Sequence, residues 1–424
     1  MIIIYDINVK EREVLNFILN ALSIILVIYA SYFILTSITA FAKVKKRQIK
    51  SYKPKAKFKI LVACRNEAVV IANLIESIKG QNYPKNLYEL CIIPNNCTDS
   101  TKKIALDLGE RVIDCKECKC KADALRYAFD KTKNEDFDAY IIFDADNVVH
   151  PNFLTRMNDA LQSGYKVAQG YRDSKNPKDN WISGSYSIYY WMQNFFFNRA
   201  RMNVRASASI NGTGFMVKKA VIDNYHFDTL TLTEDIEFTA QCAINNIQIA
   251  FVEDAITYDE QPASWNSSWK QRKRWSTGAH KCLKLYGIRL VKAFIKKRNM
   301  LSLDMTLNFM APFMQVIGAV VMVCIFLTNI LIKLEFSSLN IFGIVQLTGI
   351  YIFIISYITN IFINVFLVKY NKRRISDVIY GILLYPFFMI TWLPINIISI
   401  FSKEKSWEQV THIRTIGIDD IISE

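Results

Sequence analysis

Four stretches of this chain carry no charged side chain: residues 14–42, 305–332, 336–368 and 378–402, which are 29, 28, 33 and 25 residues long. About 20 apolar residues cross the hydrocarbon core of a bilayer, and there a helix satisfies its own backbone hydrogen bonds. The four stretches therefore predict a membrane protein with helical spans. The first begins too far from the N-terminus and runs too long for a cleaved leader, and no small-residue cleavage site follows it. It reads as one span with the N-terminus outside. Between the first and second stretches lie residues of ordinary polarity, enough for one large domain.

Charge sharpens this picture. The chain has a formal charge of +14, which by itself suggests a nucleic-acid partner. Half of the residues are apolar, however, which excludes a disordered basic tail. The basic excess is also concentrated. Lys43–Lys57 has eight basic residues and no acid, Trp269–Asn299 has eleven and no acid, and the rest of the chain is net acidic. Both blocks flank apolar stretches, where basic residues mark the cytoplasmic face and attract anionic headgroups. The expected partner is thus a lipid bilayer and not a nucleic acid. The catalytic part is expected to be cytoplasmic, on a multi-pass protein of the plasma membrane. Residues 283–303 mix Leu283, Leu285, Ile288, Leu290, Val291, Phe294 and Ile295 with Lys and Arg, the pattern of an amphipathic interfacial helix.

Within the polar domain, short apolar runs alternate with helical spacing. Strands are predicted at Lys59–Ala63, Leu90–Ile93, Arg111–Ile113 and Ala139–Phe143, and helices at Ala68–Lys79, Thr98–Leu108 and Ala122–Lys131. This alternation implies an α/β fold with a mostly parallel sheet, which binds ligands beyond the carboxyl ends of its strands. Cys64–Glu67, Pro94–Asp99 and Asp144–Asp146 all fall there. Cys115, Cys118 and Cys120 have the look of a metal cluster, but no fourth ligand is near, so they read as free thiols in a loop. No internal repeat is present.

Three groups of residues carry candidate chemistry. Asp144 and Asp146, two carboxylates after a buried strand, suit a hard divalent cation shared with phosphates, or else a solvated turn. Thr233-Glu234-Asp235 opens a helical run, as a cap with first-turn acids or as the seat of a general base. Gln271, Arg274 and Trp275 suit a diphosphate and a sugar ring, or else a basic membrane surface with a Trp anchor.

Taken in order, these groups resemble the membrane-bound inverting glycosyltransferases of family 2, which include cellulose, chitin, hyaluronan and poly-N-acetylglucosamine synthases and ceramide glucosyltransferase. The matching motifs are Ala63-Cys-Arg-Asn-Glu67, Asn95-Asn-Cys-Thr-Asp99, Lys121-Ala-Asp-Ala-Leu125, Asp144-Ala-Asp146, Asn211-Gly-Thr-Gly-Phe215, Thr233-Glu-Asp235 and Gln271-Arg-Lys-Arg-Trp275. The resemblance covers roughly Phe58 to Gly278. It implies a Rossmann-like GT-A domain over residues 43–282, followed by the interfacial helix 283–303, the spans 305–332 and 336–368, a span or re-entrant segment 378–402, and a tail 403–424. It further implies a UDP-sugar donor and Mg2+ or Mn2+ held by Asp146. Asn66, Glu67, Asn95, Lys121, Asp144, Gln271 and Arg274 would bind the nucleotide sugar. Asp235 would be the base. Gly212, Thr213, Gly214, Glu234 and Trp275 would meet the acceptor. A single base with in-line attack gives inversion, and no second carboxylate is placed to act as a nucleophile. The family often has Asp where this chain has Asn95, whose amide oxygen can still accept a hydrogen bond, without charge assistance.

The expected function is elongation of a β-linked polysaccharide coupled to export. The alternative is transfer of one sugar to a membrane lipid. Few spans are present for a private channel, which favours a homodimer, an accessory subunit or the lipid acceptor. Lys369, Lys372, Arg373 and Arg374 belong inside, whereas three full spans after the domain would leave the tail outside. Pro386 and Pro394 interrupt the last stretch, so a bent, re-entrant segment is expected to return the tail, Trp407–Thr415 included, to the cytoplasm.

Overall fold

The computed structural model describes residues 9–42, 49–231, 233–335, 341–402 and 414–422. A helix α1 (Val9–Ile38) precedes the domain. The predicted alternation follows: β1 (Phe58–Cys64), α2 (Ile71–Lys79), β2 (Tyr88–Pro94), α3 (Thr101–Asp107), β3 (Arg111–Val112), α4 (Lys121–Thr132) and β4 (Ala139–Asp144). The second half of the domain is less regular. It runs β5 (Val148–Val149), α5 (Phe153–Gln162), β6 (Val167–Ser174), α6 (Trp181–Met192), α7 (Ala200–Asn203), β7 (Phe215–Lys218), α8 (Lys219–Tyr225), α9 (Glu234–Ile244) and β8 (Ile249–Asp259).

The eight strands among the described residues form one sheet in the order β3-β2-β1-β4-β7-β6-β8-β5. β1 pairs parallel with β2 and β4, while β7 runs antiparallel to both β4 and β6. Ile60, Leu61, Val62, Ile92, Ile93, Ile141, Ile142 and Phe143 are buried, as expected for strands covered on both faces. The parallel registers set Cys64 beside Pro94 and Ala63 beside Asp144, so three strand ends meet along one edge.

One expectation is corrected in this half. Cys115 and Cys118, expected as free thiols, are joined as a disulfide; the loop before α4 brings their Cα atoms to 5.7 Å, within disulfide reach. Cys120 is a free thiol.

Beyond the sheet, α10 (Trp265–Lys297), α11 (Met300–Glu335), α12 (Ile341–Tyr370), α13 (Ile379–Ile390), α14 (Trp392–Phe401) and a short α15 (Ile418–Ile422) complete the chain. Among the described residues, four segments are long and apolar enough to cross a membrane: Glu13–Phe41, Met300–Thr328, Phe353–Tyr370 and Ile375–Phe401. Residues 283–303 are not a helix of their own. They form the second half of α10, a left-handed break at Arg298, and the start of α11. On α10, Leu285, Ile288, Val291 and Ile295 are exposed along one side, between lysines. The last apolar stretch is interrupted at Thr391, between α13 and α14. Residues 43–48 of the first basic block, 336–340 and 403–413 of the tail lie outside the described residues.

Candidate active site

The edge where β1, β2 and β4 end opens on a cavity of about 710 Å3. It reaches from Glu67 and Asn95 through Asp144, Asp235 and Trp275 to Gln315 and Asn396 on α11 and α14.

At the first end, Arg65 donates to Asn95 twice, to its backbone carbonyl at 3.0 Å and to its Oδ1 at 2.9 Å. The Asn95 amide donates to the Cys120 carbonyl at 3.3 Å. Asn95 is therefore committed to organising the pocket wall, and the Arg65 guanidinium is the charged group beside it. Asn66 does not line the cavity. It holds a left-handed backbone conformation, and its Oδ1 accepts from the Thr98 amide at 2.8 Å, tying the loop after β1 to the loop after β2.

Carboxylates crowd the middle of the cavity. Burial, reinforced by the charges of Asp146 and Asp144, pushes Glu67 up to about 9. Burial likewise pushes Asp259 up to about 6, although Arg172 is paired with it. Lys121, the first residue of α4, pairs closely with Asp144, donates to the Gly212 carbonyl at 2.6 Å and lies 3.5 Å from Glu234. Asp146 Oδ2 accepts from the Glu260 amide at 3.2 Å. Such a surplus of hard oxygen donors suits a divalent cation. Among the described residues no three His, Cys, Asp or Glu side chains converge as a ready-made cage. The donor set thus fits an ion completed by substrate oxygens, as is usual for Mg2+.

Asn211 and Gly212 form the opposite wall, backed by Thr213 and Gly214. Thr213 is buried, and its hydroxyl accepts from the Asp144 amide at 3.0 Å. Gly214 joins the sheet, accepting from the Gly170 amide at 2.8 Å and donating to the Ile142 carbonyl at 2.9 Å. Neither lines the cavity; Gly212 does. With φ of +83°, Gly212 sits so close to α9 that a Cβ there would lie 3.4 Å from Asp235 Oδ2.

Glu234 and Asp235 occupy the first turn of α9, where the helix dipole favours acids. The Thr233 hydroxyl makes no cap bond. Burial and the Glu234 charge push Asp235 up to about 6. Gln271, Arg274 and Trp275 on α10 follow i, i+3, i+4 spacing and face the cavity together. Gly278, one turn on, lets α10 press against Thr233, where a Cβ would collide.

The cavity therefore gathers Glu67, Asn95, Lys121, Asp144, Asp146, Gly212, Glu234, Asp235, Gln271, Arg274 and Trp275, and leaves Asn66, Thr213 and Gly214 as supports. Several lining residues escaped the sequence reading. Arg172, from β6, reaches the Asn211 carbonyl at 2.7 Å and lies 4.2 Å over the Tyr190 ring. Gln193 and Phe197 enter from a π-helical segment, Gln193–Arg199, which continues α6. Such segments gather at functional sites, but no local sequence pattern marks one. Asn308, Gln315 and Asn396 did leave a signal, as amides inside apolar stretches.

Residues 54–278, more than half of the chain, match the family described as glycosyltransferase like family 2. A probable glycosyltransferase, YdaM, of Bacillus subtilis is 25% identical over 369 residues, covering 82% of this chain and 83% of that protein. Two further relatives are each 26% identical. One is a beta-monoglucosyldiacylglycerol synthase of Nostoc, with 52% of this chain and 48% of the relative covered. The other is a poly-beta-1,6-N-acetyl-D-glucosamine synthase of Staphylococcus aureus, with 53% and 54% covered. The chain thus spans about half the length of these two. Among solved structures, the mannosyltransferase PcManGT of Pyrobaculum calidifontis, in complex with GDP-Man and Mn2+, shares the fold. Its TM-score is 0.53 at 14% identity, over 85% of this chain and 98% of that one.

Proposed function

The chain belongs to glycosyltransferase family 2, and from that membership we propose that it transfers a sugar from a UDP-sugar, with inversion, to an acceptor hydroxyl where the GT-A domain meets the membrane. The observation that carries this is the single cavity that joins the carboxylate-rich sheet edge, Asp235 and the α10 face to the membrane-side helices. Arg65, Glu67 and Asn95 would frame the nucleoside. Lys121, Gln271 and Arg274 would hold the diphosphate, with Asp144 beside it. A divalent cation at Asp146, Mg2+ or Mn2+, would neutralise charge developing on the departing diphosphate. An alcohol is a poor nucleophile until its proton is removed in the transition state. A buried carboxyl near 6 is suited to that task because its affinity for a proton approaches that of the medium. Asp235 is therefore assigned the base, with Glu234, Gly212 and Trp275 near the acceptor and Thr213 and Gly214 supporting that wall.

The acceptor is assigned as a growing β-linked glycan, in keeping with the polysaccharide synthase among the relatives. Transfer of one sugar to a lipid is the second reading. It is favoured by the apolar inner wall, where Met305, Phe309, Pro312 and Met389 stand and Gln315 is taken up by Asn396 at 2.8 Å. The basic α10 and Lys369–Arg374 support a cytoplasmic catalytic side on the plasma membrane.

Purified protein given labelled UDP-GlcNAc or UDP-glucose with Mn2+ should release UDP and form a labelled product, sized as a ladder or as one lipid species. Asp235→Asn should abolish transfer, by about 100-fold or more, and keep UDP affinity. Loss of UDP binding would show the base to be misassigned, and no UDP release with any donor would reject the reaction.

A further inference from the structure

Arg172 stands on β6 and lines the cavity, with its side chain 12% exposed, and has no part in the reaction as proposed above. Its direction is set by an irregularity between two strands. The parallel register of β6 against β8 jumps between Gly170 and Tyr171, from Val252 to Ile256, and resumes with Arg172 opposite Thr257. Such bulges re-aim side chains beside active sites. This one packs on Gly170, where a Cβ would lie 2.5 Å from the Ala255 carbonyl oxygen.

The guanidinium bonds two parts of the site. Nε donates to Asp259 Oδ2 at 2.8 Å, and Nη2 bonds the same oxygen. Nη1 donates to the Asn211 carbonyl at 2.7 Å. Each bond leads to a carboxylate with an assigned task. Asp259 ends β8, and the amide of the following residue, Glu260, donates to Oδ2 of Asp146, the candidate cation ligand. Asn211 precedes Gly212, which abuts the candidate base Asp235. Asn211 is held further, its amide donating to Gln169 Oε1 at 3.0 Å and its Oδ1 accepting from Gln193 at 3.2 Å.

A planar fork of N–H groups suits this bridge, and the point charge of a lysine does not. In-line transfer requires the cation-held leaving group and the acceptor hydroxyl at a fixed separation, and a misplacement of about 1 Å costs on the order of 100-fold. Neutralising Asp259 alone would not require the second bond, to Asn211.

We infer that Arg172 is a positioning residue for the transfer step, holding the Asp259–Asp146 side and the Asn211–Gly212 turn in one register so that the base faces the donor at a productive separation. This deepens, and rests on, the transfer reaction proposed above. The full chain in lipid nanodiscs is assayed with labelled UDP-GlcNAc and UDP-glucose for transfer, for loss of the donor sugar to water and for UDP affinity. Arg172→Ala should lower kcat for transfer about 100-fold, leave UDP affinity within about threefold and raise the share of donor lost to water. Guanidinium chloride at a non-denaturing concentration should recover part of the rate, because the lost side chain lines the cavity. Arg172→Lys, which keeps the charge without the fork, should fall between. Arg172→Gln combined with Asp259→Asn removes both charges and should stay impaired; recovery of transfer there would reduce Arg172 to a counter-charge and overturn its positioning role. Transfer by Arg172→Ala within about twofold of the unaltered chain, or a joint loss of transfer, UDP affinity and unfolding temperature in both Arg172→Ala and Arg172→Lys, also overturns it and leaves the reaction standing. An unaltered chain that releases no UDP from either donor rejects the reaction, and this role with it.

Discussion

The residue with the sharpest consequence is Asp235. Burial and Glu234 hold its carboxyl up, near 6, above the usual carboxylate range. A raised value means that the neutral form persists to higher pH. As a base, Asp235 must be ionised, so transfer is expected to fall as pH drops through about 6 and to level off above it. A pH profile of initial UDP release by transfer checks this; an acid limb near 4 would contradict the assignment. The residue types of the site were legible in the chain, because carboxylates after strands and at a helix start need only local context. Their division of labour was not. Asn95 was expected to bind the nucleotide sugar, and its oxygen also accepts from Arg65, which no local pattern announces. Thr213 and Gly214, expected at the acceptor, instead brace Asp144 and the sheet. Such roles are set by neighbours 30 to 70 residues away.

At the scale of elements, the regular first half of the sheet was readable from alternation, whereas β7, the π-helical segment and the crossing of α6 with α13 were not. That crossing depends on two glycines. A Cβ on Gly381 would stand 2.8 Å from the Gly184 carbonyl carbon and 3.0 Å from its Cα. Gly381→Ala must therefore spread the two helices, with an overpacking cost of about 1–3 kcal/mol. Because α6 carries Tyr189 and α13 leads into Trp392, both of which line the cavity, the same substitution should lower both the unfolding temperature and transfer. A thermal shift in detergent with a matched transfer assay measures both. Unchanged stability would mean that the helices do not pack this closely. α10 shows a second kind of gap. Its sequence splits into a catalytic motif and an amphipathic segment, but nothing breaks the helix before Arg298, so one rigid rod links the cavity to the membrane-side surface.

Over the whole molecule, contacts with the domain recur along the membrane-side helices. α11 starts from it, with Asn299 and Ser302 donating to the Ala243 carbonyl at 2.7 and 3.0 Å. After α12, Arg373 bonds Asp173 at 3.0 Å. Past α14, Arg414 bonds Asp179 at 2.8 Å, and its amide reaches Glu260 at 3.1 Å. Beginning and ending on the domain side requires an even number of crossings between Asp377 and Arg414, as a bent re-entrant segment provides. An epitope inserted after Gly417 should accordingly be accessible only from the catalytic side, and labelling from the opposite face would reject this path. The sequence by itself determined the class of the molecule, the sheet edge that holds the chemistry, and the acids and cations of the site. Those depend on charge, on hydropathy and on the convergence of parallel strand ends, all written in short windows. Only the tertiary structure decided which face of each apolar helix meets the cavity, and so placed Trp392 against Trp275. A uniformly apolar helix carries no periodic signal to say which side turns inward; that choice is made by packing between residues more than a hundred positions apart.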